Sequence, residues 1–454
     1  MGFEKRIAKY DVPKNHCAFM TTRSLPSSIL RISLAFFALS GLSGIDVAAQ
    51  APNAPTFTFQ TNVPLGTLNK VLTMERDSFM GTNYPSEYRV PSYQQARYSV
   101  DIYSVSYPTV IPQWSNKPTV AYGMVALPHG INPISLPVVS YQHGTVYGKY
   151  EVPSYCFRPD GAAPNQIPHY DDSFETRLVV AAFASQGYAV IAADYIGLGD
   201  SKEPDSYGVR SLCQQACLDM YRASAPWMAK KTGAQQIDLY LAGWSQGGMN
   251  TLSFIQKLES EKIPVKAVAT AAAPCDQFTM ISGFLFQPRA IDAEWKNAVV
   301  LLSVFSYENY FQKPNLSKGV INKDYWETCK KIYDRDYKTK KEFWSLLSKI
   351  PTDLHQLMTP AFSNPVNFEN SEYGNLLNAM QTYKLSLSNP VTMFCGNADE
   401  VVSDELGSLA MTYQQHMFKN KNISVVNVDG GNHHGTFLTM VKDAKTWFDT
   451  LKMP

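Results

Sequence analysis

Along this chain, apolar residues gather in short continuous runs more often than they alternate with polar ones. Residues 136–141 (LPVVSY), 188–195 (YAVIAADY), 237–242 (IDLYLA), 265–272 (VKAVATAA), 391–395 (VTMFC) and 423–428 (ISVVNV) are such runs. Short apolar stretches bounded by turn residues are the mark of strands buried on both faces, as in a parallel sheet. Residues 98–110 alternate instead, and together with 118–128 they predict strands near a sheet edge. Between these runs the spacing turns helical. A helix is predicted within 169–187, opened by Asp172 and Glu175 in capping-box spacing and stopped by Gly187. Others are predicted at 211–231 and, amphipathic, at 435–453. Strands alternating with helices imply right-handed crossovers and a mostly parallel central sheet with helices on both faces, an α/β fold. The rhythm breaks over 276–387, where only helical segments rich in Trp, Tyr and Phe occur, divided by prolines. That stretch reads as a helical cap inserted between two parts of one body, 50–275 and 388–454.

The N-terminus follows another logic. Arg23 and Arg31 precede the apolar run 32–45, and Val47-Ala48-Ala49 offers a small-x-small cleavage pattern. The run is shorter than the ~20 residues of a membrane span. Residues 1–49 are therefore expected to be an export signal, with translation starting at Met20 and cleavage near Ala49. The mature chain keeps Cys156, Cys213, Cys217, Cys275, Cys329 and Cys395. An even number in an exported protein permits disulfides, although six cysteines allow 15 pairings. Neither C-x-x-C nor H-E-x-x-H occurs, so no metal or redox site is signalled. A chain of 454 residues with 45% hydrophobic content can bury a large core, and its 12% aromatic content argues against disorder. A formal net charge of +1 leaves no basic footprint for nucleic acid.

The candidate chemistry begins at Gly243-Trp244-Ser245-Gln246-Gly247, which runs from a predicted strand into a predicted helix. Strand, G-x-S-x-G and helix are the context of a nucleophile elbow, with Ser245 exposed at the strand's end. A serine nucleophile needs a base and an acid that orients the base, and in this fold both follow it in the chain. Asp399 stands just beyond the run 391–395; Glu400 is its near competitor and Asp276 a more distant one. The base is expected at His433, with His434 beside it as the alternative, in Gly430-Gly431-Asn432-His433-His434-Gly435-Thr436-Phe437. His129, His169, His355 and His416 are read as surface or satisfied histidines. For the oxyanion, the backbone N–H groups of Gln246 and Thr145 are the candidate donors, and His143 is expected to support the latter's loop. Activity is expected to fall as His433 protonates, near pH ~6.5 or somewhat below. The apolar stretch 280–286 (MISGFLF) could line an acyl pocket, form a lid at a lipid surface, or simply pack the cap onto the body.

Tyr141-Gln142-His143-Gly144-Thr145, Asp194-Tyr195-Ile196-Gly197-Leu198-Gly199, Gly243-Trp244-Ser245-Gln246-Gly247-Gly248, Asp399 and His433 together resemble the α/β-hydrolase fold. More narrowly, they resemble secreted lipases and esterases of the fungal lipase A and bacterial secretory-lipase kind. The resemblance covers most of the mature chain, but not the region before residue 97 or the cap. It implies a helical cap before the acid, no cofactor, and hydrolysis of small-molecule or lipid esters through an acyl-enzyme, with transient lipid-surface contact. Two other readings remain: a serine peptidase of the prolyl-oligopeptidase type, and a secreted binding protein on a hydrolase scaffold.

Overall fold

The computed structural model describes residues 54–157, 173–337 and 339–452. The expected leader, Asp172 and His169 lie outside those residues. Nine strands are found among the described residues: β1 (Thr56–Val63), β2 (Val100–Ile111), β3 (Lys117–Pro128), β4 (Ser135–Gln142), β5 (Ala189–Ala193), β6 (Gln236–Trp244), β7 (Ala267–Ala271), β8 (Val391–Gly396) and β9 (Ile423–Val428). They form one sheet in the order β1-β2-β3-β5-β4-β6-β7-β8-β9. The pairs from β1 to β5 are antiparallel, and every pair from β5 through β9 is parallel. The continuous apolar runs thus became the parallel half and the alternating one an antiparallel flank, as their patterns require.

Because strand side chains alternate, each central strand supplies two cores. From β6, Leu239 and Leu241 join one layer while Tyr240, Ala242 and Trp244 join the other. Helices Arg210–Thr232 and Gln246–Ser260 cover the first face, with Leu212, Met228, Phe254 and Ile255 buried there. Helices Phe174–Phe183 and His433–Thr450 cover the second, with Leu178, Phe437, Val441 and Phe448. The described residues form one compact unit. Between β7 and β8 the regular elements among the described residues are helices, apart from a single bridge, Ile321 to Met358.

Several expectations change. In helix Gln277–Phe286, Met280, Ile281, Phe284 and Leu285 are buried, and Phe278 stacks on Phe368 at 5.0 Å. The stretch 280–286 is therefore mostly buried, its helix packing chiefly within the helical segment, where Phe286 also meets Phe368, and it is not an exposed lid. The six cysteines are free thiols in the core; none is in a disulfide. Burial pushes the thiols of Cys156, Cys213, Cys329 and Cys395 up to about 12, so they serve as small apolar side chains. The helix expected within 169–187 has Ser173 at its N-cap position without a capping hydrogen bond from the side chain, and Glu175 is buried rather than closing a capping box.

The region before residue 97 gains a structural role. The segment from Leu65 to Met80 is helical, with one π turn at Val71–Glu75, and buries Leu68, Val71, Leu72 and Met80 against the second core. Arg177 pairs with Glu75 at 3.1 Å, and Tyr88 donates to the Gly435 carbonyl at 2.8 Å. The Tyr88 contact braces the start of the last helix, which carries two histidines.

Candidate active site

The elbow is built as the motif demands. Strand β6 ends at Trp244, helix Gln246–Ser260 begins at once, and Ser245 between them has φ 56 and ψ −125. A non-glycine residue there is strained by roughly 1–3 kcal/mol, and surrounding structure must hold it. The serine N–H is anchored to the Ala271 carbonyl at 2.9 Å. Glycines on either side are compulsory: a Cβ on Gly243 would lie 2.2 Å from Thr251 Oγ1, and one on Gly247 would lie 1.9 Å from the Gln142 carbonyl oxygen.

Asp399 is buried in the loop after β8. Its Oδ1 accepts from the Val401 and Val402 N–H groups, both at 2.8 Å, and its carboxylate meets His433 Nδ1 at 3.0 Å through each oxygen. With Nδ1 committed to the acid, Nε2 is the ring nitrogen left to face a nucleophile. Burial pulls the His433 pKa down, but the charges of Asp399, Glu400 and Glu175 prevail, and its net shift is upward from 6.5. The earlier expectation of a protonation step at or below 6.5 is therefore corrected upward. Glu400 serves the backbone instead, accepting from the His433 N–H at 3.0 Å. Asp276 is an N-cap, accepting from the Thr279 N–H.

The helix begins at His433, two residues earlier than its pattern predicts, because the Asn432 side chain caps it by accepting from the Gly435 N–H. Consecutive helical residues point about 100° apart, so the two histidines diverge. His434 stacks on Phe79 at 4.0 Å and donates through its Nδ1–H to the Phe79 carbonyl, 2.9 Å away. Burial and neighbouring His433 hold its pKa down to about 4. The Trp244 indole donates to the His433 carbonyl at 3.1 Å, tying the elbow to the imidazole's own backbone.

Thr145 and Ser245 line one cavity of about 450 Å³ together with His433, His434 and Glu175. No direct hydrogen bond joins Ser245 to His433 among the described residues; both face the cavity. The N–H groups of Gln246 and Thr145 have no other partner among the described residues, and Gln246 opens a fifteen-residue helix whose dipole favours an anion. Thr145 Oγ1 donates to Tyr207 at 3.2 Å. His143, buried between the Gly144 and Asp194 carbonyls and stacked on Tyr195, is pushed down to about 4 by burial and supports the loop from behind.

Glu175 is the residue whose place the sequence pattern concealed. Its carboxyl receives the Tyr141 hydroxyl at 2.5 Å and the Gly144 N–H at 3.0 Å on each oxygen. Burial pushes it up to about 7, against the pull of those hydrogen bonds and of His433. The cavity's aromatic walls, Phe79, Tyr147, Trp295 and Trp344, also carried no sequence signal beyond the aromatic richness of the cap.

The model of one protein family, described as alpha/beta hydrolase fold, matches residues 165–437, more than half of the chain. No curated protein matches. Among solved structures, a Legionella pneumophila protein assigned as a hydrolase is 20% identical with a TM-score of 0.70, over 88% of this chain and 99% of the other. The rice cell wall degrading esterase LipA from Xanthomonas oryzae is 17% identical with a TM-score of 0.68, over 87% and 98%. Candida antarctica lipase A is 17% identical with a TM-score of 0.56, over 74% and 73%. At such identities the likeness is one of fold.

Proposed function

We propose, because the chain belongs to the alpha/beta hydrolase family and carries this site, that it is an exported serine hydrolase of carboxyl esters. Ser245 attacks the ester carbonyl while His433 Nε2 takes its proton, and Asp399 holds the imidazole tautomer and the imidazolium that forms. The Gln246 and Thr145 N–H groups receive the oxyanion. His433 returns the proton to the leaving alkoxide, and water, activated by the same base, releases the acid from the acyl-enzyme. No step calls for a cofactor.

One observation carries the reading: a serine held at φ 56 faces the same cavity as an imidazole whose far nitrogen is bound by a buried carboxylate. The esterase and lipase among the fold neighbours support the ester as substrate class. A fluorophosphonate probe is expected to label the protein at Ser245, and p-nitrophenyl esters to be turned over in preference to prolyl amides. Absence of label would overturn the enzymatic reading in favour of a binding protein, and turnover of amides alone would favour a peptidase.

Glu175 enters as a positioning residue, since it grips the N–H next to the Thr145 donor. Glu175→Ala is expected to lower kcat by about tenfold or more with a smaller change in KM, because a loosened oxyanion donor weakens transition-state binding most. Glu175→Gln keeps an acceptor for Gly144 and should restore most of kcat. Equal losses in both variants would show that the charge, not the grip, matters.

A further inference from the structure

The wall of the catalytic cavity differs from what an alkyl chain would select. Among the described residues that line it, none is Leu, Ile, Val or Met; its apolar surface comes from Phe79, Tyr147, Trp244, Trp295 and Trp344. The Trp295 ring lies 6.5 Å from the His433 ring and 6.5 Å from Tyr147, so an aromatic corner stands directly beside the reacting centre. Tyr147 is itself held by stacking on Phe343 at 4.7 Å. At the rim, Trp344 is 46% exposed, a large apolar side chain left in water on the cap helix Lys340–Leu347. A single exposed ring is common on its own; this one also lines the catalytic cavity, which is what makes it a contact surface for a ligand there. Flat rings lose little entropy when they receive another flat ring, and offset or edge contacts at 4.5–7 Å are favourable.

The polar part of the lining points the same way. Thr145 Oγ1 is engaged by Tyr207, the Glu175 carboxyl by Tyr141 and Gly144, and His434 Nδ1 by the Phe79 carbonyl. Among the described lining residues, that leaves Ser78, exposed at the edge, as the uncommitted side-chain hydroxyl besides Ser245. A sugar ring also stacks on tryptophan, but each of its hydroxyls needs a partner, and beyond Ser78 the described lining adds few uncommitted polar atoms, chiefly the Trp295 and Trp344 indole N–H groups and His434 Nε2. A volume of about 450 Å³ lies within the ~300–1,000 Å³ of small-molecule sites. It holds a substituted phenyl group with a short linker.

We propose that the ester substrates of this site carry an aromatic ring within a few bonds of the scissile carbonyl, held between Trp295, Tyr147 and Trp344. The proposal rests on the ester-hydrolase reading above. Its test uses three methyl esters, so that the leaving group stays constant (methyl cinnamate, methyl butyrate and methyl octanoate), and beside them an acetylated methyl glucoside as a separate sugar arm, whose leaving group is a sugar hydroxyl. For the mature enzyme, kcat/KM on methyl cinnamate is expected to exceed that on methyl octanoate by at least tenfold. In Trp344→Ala and Trp295→Leu the ratio of cinnamate to butyrate kcat/KM should fall about fivefold or more per ring removed. Trp344 is exposed, so its variant keeps the test open should Trp295→Leu fail to fold. A preference for octanoate, ratios unchanged in a folded Trp344→Ala protein, or the glucoside ester ranking above cinnamate would each overturn the aromatic assignment while leaving the hydrolase standing. No turnover of any ester, with no fluorophosphonate label, would instead be the failure of the underlying reading.

Discussion

Replacing Ser245 with alanine is expected to cut ester turnover by about six orders of magnitude, the scale reached when a triad's nucleophile is removed. Some acceleration over water should survive, because the Gln246 and Thr145 donors and the cavity remain. The loss should come without loss of fold. Ser245 is buried, and alanine fits its space while keeping the same unfavourable φ of 56. Thermal unfolding of Ser245→Ala should therefore match the parent. Ser245→Gly, equally inactive, should unfold at a somewhat higher temperature, because glycine alone tolerates that backbone at little cost. Rates measured on p-nitrophenyl butyrate beside melting curves check both halves. Residual activity above one part in a hundred would place the nucleophile elsewhere. A glycine variant less stable than the alanine one would mean that the elbow is not strained.

That prediction could be framed from the sequence, and it is instructive to ask why the nearby Glu175 could not. The elbow, the Asp399 loop and the two histidines are local patterns: small residues around a serine, and polar residues just past a buried strand. The need for glycine at 243 is local, since a Cβ there would lie 2.2 Å from Thr251 Oγ1 and 2.4 Å from the Gly247 carbonyl oxygen, whereas the atom that forbids a side chain at 247, the Gln142 carbonyl oxygen, comes from a distant strand. Glu175 has the spacing of a cap residue, three after Asp172, and nothing local distinguishes it. Its partners Tyr141 and Gly144 are more than thirty residues away, so its role follows from how a helix packs beneath a loop. β1 and the helical segment after it were illegible for a related reason. β1 is a half-exposed edge strand with a register shift between Phe59 and Thr61, and the segment is buried against helix Phe174–Phe183, whose Arg177 lies 102 residues beyond Glu75, as well as against the last helix. Helix Asp404–Phe418 buries only Leu406, Gly407, Ala410 and Gln414, too few apolar positions to print a periodic stripe. The choice between His433 and His434 likewise depends on the Asn432 cap, which sets where the helix starts and so which imidazole meets Asp399.

Asp399→Asn is expected to lower kcat by about 10⁴-fold with the site geometry preserved, since an amide in that place stabilises the wrong imidazole tautomer and no imidazolium. The same variant should move the pH profile. In the parent, His433 must be neutral to act as base, so kcat/KM falls as pH drops through its pKa. The neighbouring carboxylates hold that pKa above 6.5, which puts the acid limb above 6.5 as well. Removing the Asp399 charge leaves burial, the opposing cause, less resisted; the residual activity of Asp399→Asn should therefore persist to lower pH than the parent's. His434→Ala provides the contrast. That imidazole is pushed down to about 4 and packs on Phe79, so its loss should cost less than about tenfold and leave the acid limb in place. Profiles of kcat/KM from pH 5 to 9 for the three proteins separate the roles. If His434→Ala shifts the limb and Asp399→Asn does not, the proton moves through the other imidazole. The buried pair at 3.0 Å would then be a structural clamp for the last helix, and not the base and its orienting acid.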